Sequence, residues 1–191
     1  MCYSEKLATD GSAYQTEHGW VYVAHKTVAV RISDDQVIRP LHAIENWSDY
    51  AYAPGTLVRD RHGFHVAATR RGAIQAALRY TEHDRKIETA LTAWRRLEKQ
   101  VSKRSGSYLR AILDLHHDYY LRVVRCLVPS ESVGEKEHCH AIMILAPGQH
   151  ETEADVARCD AENRRLRRKL DARTAALEKL RTITSGKAVP A

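Results

Sequence analysis

Residues 119–128, YYLRVVRCLV, halted by Pro129, and residues 141–145, AIMIL, followed by Pro147-Gly148, decide the fold class. Both runs are short, apolar and rich in β-branched side chains, and both end at residues that interrupt regular structure, which is the pattern of buried strands. Upstream, residues 20–32, WVYVAHKTVAVRI, have the same character and read as one strand, or two bent near His25-Lys26, with a turn at Asp34-Asp35. The stretch NWSDYAYAPGTLVRDRHG mixes aromatics with Pro54-Gly55 and Gly63. It reads as an irregular loop with a short extended piece, leading into a strand over residues 64–68.

Between these strands the period changes. Thr69 is placed to cap a helix, its hydroxyl accepting from an otherwise unpaired N–H of the first turn. Ile74, Ala77 and Leu78 then share a face, and Ile87, Leu91, Trp94, Leu97 and Val101 recur at three- and four-residue steps, which predicts one amphipathic helix or two in succession. SKRSGS at 102–107 is a break, and YLRAILDL after it reads as a short helix or, being too short for its period to decide, a strand. Strands and helices in this arrangement predict an α+β domain, a small mixed or antiparallel sheet with packed helices.

The last predicted element is a C-terminal coiled-coil helix over residues 151–184. With Val156 at heptad position a, Asn163, Leu170 and Leu177 also fall at a, while Cys159, Leu166, Arg173 and Leu180 fall at d. An apolar return every 3.5 residues keeps one seam facing a partner helix, and a lone Asn at a favours an in-register dimer. Val156, Cys159, Asn163, Leu166, Leu170, Leu177 and Leu180 are therefore the expected dimer interface, with Glu162 and Arg167 placed to pair between chains. The alternative is that this helix folds back on its own domain. The expected organisation is a polar leader at 1–18, the α+β domain at 19–148, the helix at 151–184 and a tail at 185–191.

The 191 residues, 43% of them hydrophobic, suffice for one core. No apolar run approaches the roughly 20 residues of a membrane helix, and the first residues lack the order of a secretory signal, so a cytoplasmic protein without a membrane partner is expected. Cys2, Cys126, Cys139 and Cys159 form no CxxC pair, which predicts reduced thiols. A formal charge of +6 leaves nucleic acid open as a partner, with Arg164-Arg165-Leu166-Arg167-Arg168-Lys169 the densest basic run. In leucine-zipper proteins the basic region precedes the zipper, whereas here it lies inside it, so it reads first as a solvated helix face.

Several groups carry chemistry-bearing residues. His62, His65, His116-His117 and His138-Cys139-His140 are metal-ligand types, but nothing like HExxH fixes two ligands and a base together; no metal and no cofactor are expected. Asp114, His116, His117 and Asp118 lack a nearby nucleophile. Trp47, Tyr50 and Tyr52 are able to stack on bases, and read first as packing over the sheet. Gly63, between a charged loop and a strand, marks a positive φ or a close backbone approach.

With VAHKTVAV, Tyr50-Ala51-Tyr52-Ala53-Pro54-Gly55, Gly63-Phe64-His65-Val66-Ala67-Ala68-Thr69 with Ala73, and Val123-Val124-Arg125-Cys126-Leu127-Val128-Pro129, the chain resembles a group of small bacterial and phage α+β domains, some joined to pentapeptide repeats. The GFHVAATRRGAIQAA element is also similar to a strand-helix piece of ADP-ribosyltransferase-like domains. That resemblance implies a pocket faced by Tyr22, His25, Gly63, His65 and Thr69, with a carboxylate such as Glu137, although no strand carries an ExE or QxE motif. Three functions follow as expectations. The first is a non-catalytic binding or regulatory protein, of phage origin by the resemblance, dimerised through its last helix and open to a protein partner. The second is a nucleotide-using enzyme of ADP-ribosyltransferase type, and the third a nucleic-acid-binding dimer.

Overall fold

A computed structural model describes residues 7, 11–31, 33–34, 37–40, 51–80, 119–134 and 138–184, with backbone alone for 76–80 and 119–121. Residues expected to form the helices and break at 81–118, including His116-His117, and Trp47, Tyr50, Glu137, Cys2 and the tail lie outside the described residues. The class is α+β: a six-stranded antiparallel sheet with a long C-terminal helix.

Strand β2 (Gly19–Arg31) organises the sheet. Along one edge it pairs with β5 (Tyr119–Pro129) from Val21↔Pro129 to Arg31↔Tyr119 without a register break, so 20–31 form one strand and not two bent at His25-Lys26. Next to β5 lies β6 (His138–Ile144), and beside β6 lies β4 (Leu57–His65). On its other edge β2 receives β1 (Ala13–Thr16) at its start and the two-residue β3 (Ile38–Arg39) near its end. Between those two, His25 donates its N–H to the Ala67 carbonyl at 2.7 Å and Ala67 returns one to His25 at 2.9 Å. The chain just past β4 thus returns to β2, and the sheet curls towards a small barrel, which leaves fewer open edges.

Two expectations on strand limits change. β1 lies inside the stretch read as a polar leader, because Ala13–Thr16 is a surface strand with too few apolar residues to show an alternating pattern. β4 begins at Leu57, seven residues before the expected Phe64. It carries extra residues relative to β6 between Arg59 and Phe64, so the polar Asp60, Arg61 and His62 break the period-2 signal. Gly63 has φ +82°, and a Cβ there would sit 3.2 Å from His138, so both the positive φ and the close approach are real.

Within the curl, Tyr22, Ala24, Val28 and Val30 of β2 meet Val124, Cys126 and Val128 of β5, Ile142 and Ile144 of β6, and Phe64. The outer face is covered twice. Helix α1 (Arg70–Tyr80) starts where Thr69 Oγ1 accepts the Gly72 N–H at 3.0 Å, and the Ala73 carbonyl accepts from buried Thr27. Helix α2 (Glu153–Thr184) is capped by reciprocal bonds between Thr152 and Asp155, and lies over Val21, Val23, Leu127 and Met143.

Docking divides α2 into unlike halves. Val156 and Cys159 join the apolar cluster on the outer face of the sheet, and Asn163 is wholly buried. These three, expected to face a partner chain, instead pack on their own domain. A sheet face selects the same three- and four-residue apolar spacing as a second helix does. Beyond Leu166 the helix outruns the sheet, and Leu170, Leu177, Leu180 and Ile183 are 60%, 50%, 58% and 63% exposed. No helix among the described residues is long and apolar enough to cross a membrane.

Candidate functional site

The residues that the transferase likeness brings together do not share one pocket. Tyr22 points into the core, where burial, with help from Glu131, raises its hydroxyl pKa. His25 is three positions on and therefore on the opposite face of β2. Its Nδ1 lies 3.2 Å from the Ala68 carbonyl; burial lowers its pKa, Arg125 and Arg70 push the same way, and the carbonyl partly opposes them. Thr69 is occupied as a helix cap, and His65 packs its ring against His138 with centroids 4.0 Å apart. The histidines of β6 separate from their cysteine: Cys139 is buried while His140 is exposed, with Nδ1 3.2 Å from the Asp60 carbonyl.

Among the described residues, one trio brings three ligand-type atoms together: Glu17, His18 and Asp160. Its central carboxylate is already committed. Asp160 accepts from Thr16 Oγ1 at 2.6 Å and from the His18 N–H at 3.0 Å, with His18 Nδ1 3.0 Å from its other oxygen. Burial raises the Asp160 carboxyl, but these hydrogen bonds outweigh it and hold its pKa below the usual range. The arrangement locks the β1–β2 turn onto α2.

Lys26 escaped the sequence reading. It occupies an inward position between Ala24 and Val28, where every other even-numbered residue from Tyr22 to Val30 is apolar. Its Nζ donates to the His65 carbonyl at 2.9 Å and lies 6.0 Å from the Phe64 ring centre. Burial lowers its pKa, and the same enclosure pushes the Cys126 thiol up to about 12 and Cys139 upward as well. High thiol pKa values make these cysteines poor nucleophiles. The period-2 alternation of β2 was the signal that marked Lys26 as inward.

The surface built by α2 has more substance. Glu162, 1% exposed at its side chain, accepts two bonds from Arg59, at 2.9 Å and 2.7 Å, and is also clasped by Arg165. Burial raises the Glu162 carboxyl, but the bonds and charges of Arg165 and Arg59 prevail and bring its pKa down to about 2. Next to it Asn163 accepts the Glu131 N–H at 3.0 Å and donates to the Trp20 carbonyl at 3.0 Å. Arg167 pairs with Glu131 of its own chain. A shallow groove of about 250 Å³ runs between β4 and α2, lined by Arg59, Arg61, His140 and Arg165 among others. A second depression, on the solvent side of the helix, shares Arg165 and is bordered by Arg164, Arg168 and Lys169.

An anchored helix thus projects from a closed core and presents an apolar stripe and a basic face. Comparison with protein-family models, curated proteins and solved structures finds no match.

Proposed function

We propose that this chain is a non-catalytic binding protein that pairs with a second copy of itself through the projecting part of α2. The observation that carries the reading is the run Leu170, Leu177, Leu180 and Ile183, each at least half exposed on a helix whose root is fixed to the domain. From Leu166, itself partly buried, the steps 166, 170, 173, 177 and 180 keep the three-four alternation of a coiled-coil seam. An unsupported helix of this length is marginal in water, and a matching stripe on a second copy supplies the packing it lacks. Arg173, at one d position, has a stem long enough to lie along the seam with its guanidinium in solvent.

Light scattering coupled to size-exclusion chromatography tests it, comparing the full chain with the double variant Leu170→Asp/Leu177→Asp. The full chain is expected at twice the monomer mass at tens of micromolar and the variant at monomer mass, its circular dichroism keeping the sheet signal and losing part of the helical signal as the unpaired end of α2 frays. A monomer in both cases, or a dimer in both, overturns the pairing.

A further inference from the structure

We infer that the basic face of α2, continued by Arg165 to Arg61 on β4, docks on the phosphate backbone of double-stranded nucleic acid. Ion pairs are a common use of surface charge, so the cations of α2 divide into those engaged within the chain and those that are not. Arg158 pairs with Asp155, Arg165 with Glu162 and Arg167 with Glu131. The side chains of Arg164, Arg168 and Lys169, like those of Arg173, Lys179 and Arg181 further along, have no hydrogen-bond or ion-pair partner among the described residues, and the first three stand together. Of the acidic residues three or four positions away, Asp160 is held by Thr16 and His18, and Asp171, three on from Arg168, forms no ion pair with it among the described residues.

Arg164 and Arg168 lie one turn apart, as do Arg165 and Lys169, and like charges at that spacing weaken a helix by a few tenths of a kcal/mol per pair. An anionic partner reverses the sign of that contribution. The cations also gather on one side. They border a single depression of about 380 Å³ whose other lining residues are Ala161 and Ala172, small side chains that let a partner come close to the helix. Arg165 belongs to this depression and to the groove beside it, where Asp60 and the paired Glu162 stand among Arg59, Arg61 and His140, so cations continue from the helix to the sheet.

Three features favour a duplex. Two of the three unpaired cations at this depression are arginines, whose planar fork matches phosphate oxygens. Neither depression has a Phe, Tyr or Trp in its lining, so the broad aromatic platforms on which single-strand binders rely are missing. Their large apolar content is also low, with Leu166 alone, whereas a helix lying in a lipid surface buries a broad apolar face on the side that meets the bilayer. The exposed leucines of α2 lie roughly 130° around the axis from this face at 3.6 residues per turn. The inference rests on the chain being a binding protein, but not on its pairing.

The test is fluorescence anisotropy of a labelled random-sequence 20-base-pair DNA with the full chain, from 50 to 300 mM salt. Micromolar or weaker binding is expected, with log K falling against log salt at a slope of about −3 to −4 if about four phosphates are neutralised. Arg164→Gln/Arg168→Gln/Lys169→Gln, all exposed positions, should weaken binding at least about tenfold at 100 mM salt and flatten the slope to about −1. Arg181→Gln, on the same helix but off this face, should leave both unchanged. No binding at 50 mM salt, or a triple variant that binds as the parent does, overturns the inference. So does binding to vesicles of equal phosphatidylcholine and phosphatidylserine with none to the duplex. The Leu170→Asp/Leu177→Asp variant separates the two claims: a monomer that still binds duplex in a salt-dependent way leaves this inference standing whatever becomes of the pairing.

Discussion

Asn163 shows how one residue serves two readings. In sequence it stands at a heptad a position, where a buried amide registers a helix pair. In the structure both ends of that amide are engaged within the chain, on the Glu131 N–H and the Trp20 carbonyl. Asn163→Ala should therefore lower the unfolding free energy by about 1–3 kcal/mol, the cost of leaving buried polar groups unsatisfied, as read by urea denaturation. Gly63→Ala should cost about 1–2 kcal/mol in the same measurement, because L side chains disfavour a φ of +82° and His138 stands 3.2 Å from the new Cβ. Gly63 was legible in sequence because its neighbours, a charged loop and a strand, demanded a turn. The role of Asn163 was not, since its partners are 32 and 143 residues away.

At the scale of elements, α2 is held by apolar packing at Val156 and Cys159, by the engaged carboxylates of Asp160 and Glu162, and, just before its start, by Glu151 on Arg125. The Glu162 carboxyl falls from its ordinary 4.5 to about 2 on folding. A carboxyl depressed in the folded state stabilises fully above its unfolded pKa, and that contribution is lost as pH falls from about 4.5 towards about 2. Urea midpoints measured across that window should drop for the parent. In Glu162→Gln, which keeps the shape but not the charge, the drop should be smaller and the midpoint at pH 7 lower. Identical pH profiles for the two proteins would remove Glu162 as the acid-sensitive lock. The existence of α2 was legible from its period, and its start from Thr152 and Asp155. Its division was not, because the same three- and four-residue spacing suits a sheet face and a helix partner alike.

At the scale of the molecule, the strands of the core were readable where runs were apolar and bounded, as in β2, β5 and β6. They were unreadable where the chain closes on itself, because the His25–Ala67 bonds depend on a return path set by the bulge in β4. The pocket expected from a strand-helix likeness dissolved for a related reason: residues close in sequence, such as Tyr22 and His25, lie on opposite faces of one strand. What remains is a closed core that carries a helix whose first half packs on the domain and whose second half, in the proposed pairing, meets a second copy. Hydrogen exchange along α2 at two protein concentrations tests that division most directly. The account predicts slow exchange over 156–166 at both concentrations, and over 167–184 slow exchange only at the higher one, since an unpaired helix of that length frays. Exchange over 167–184 that is independent of concentration would contradict it.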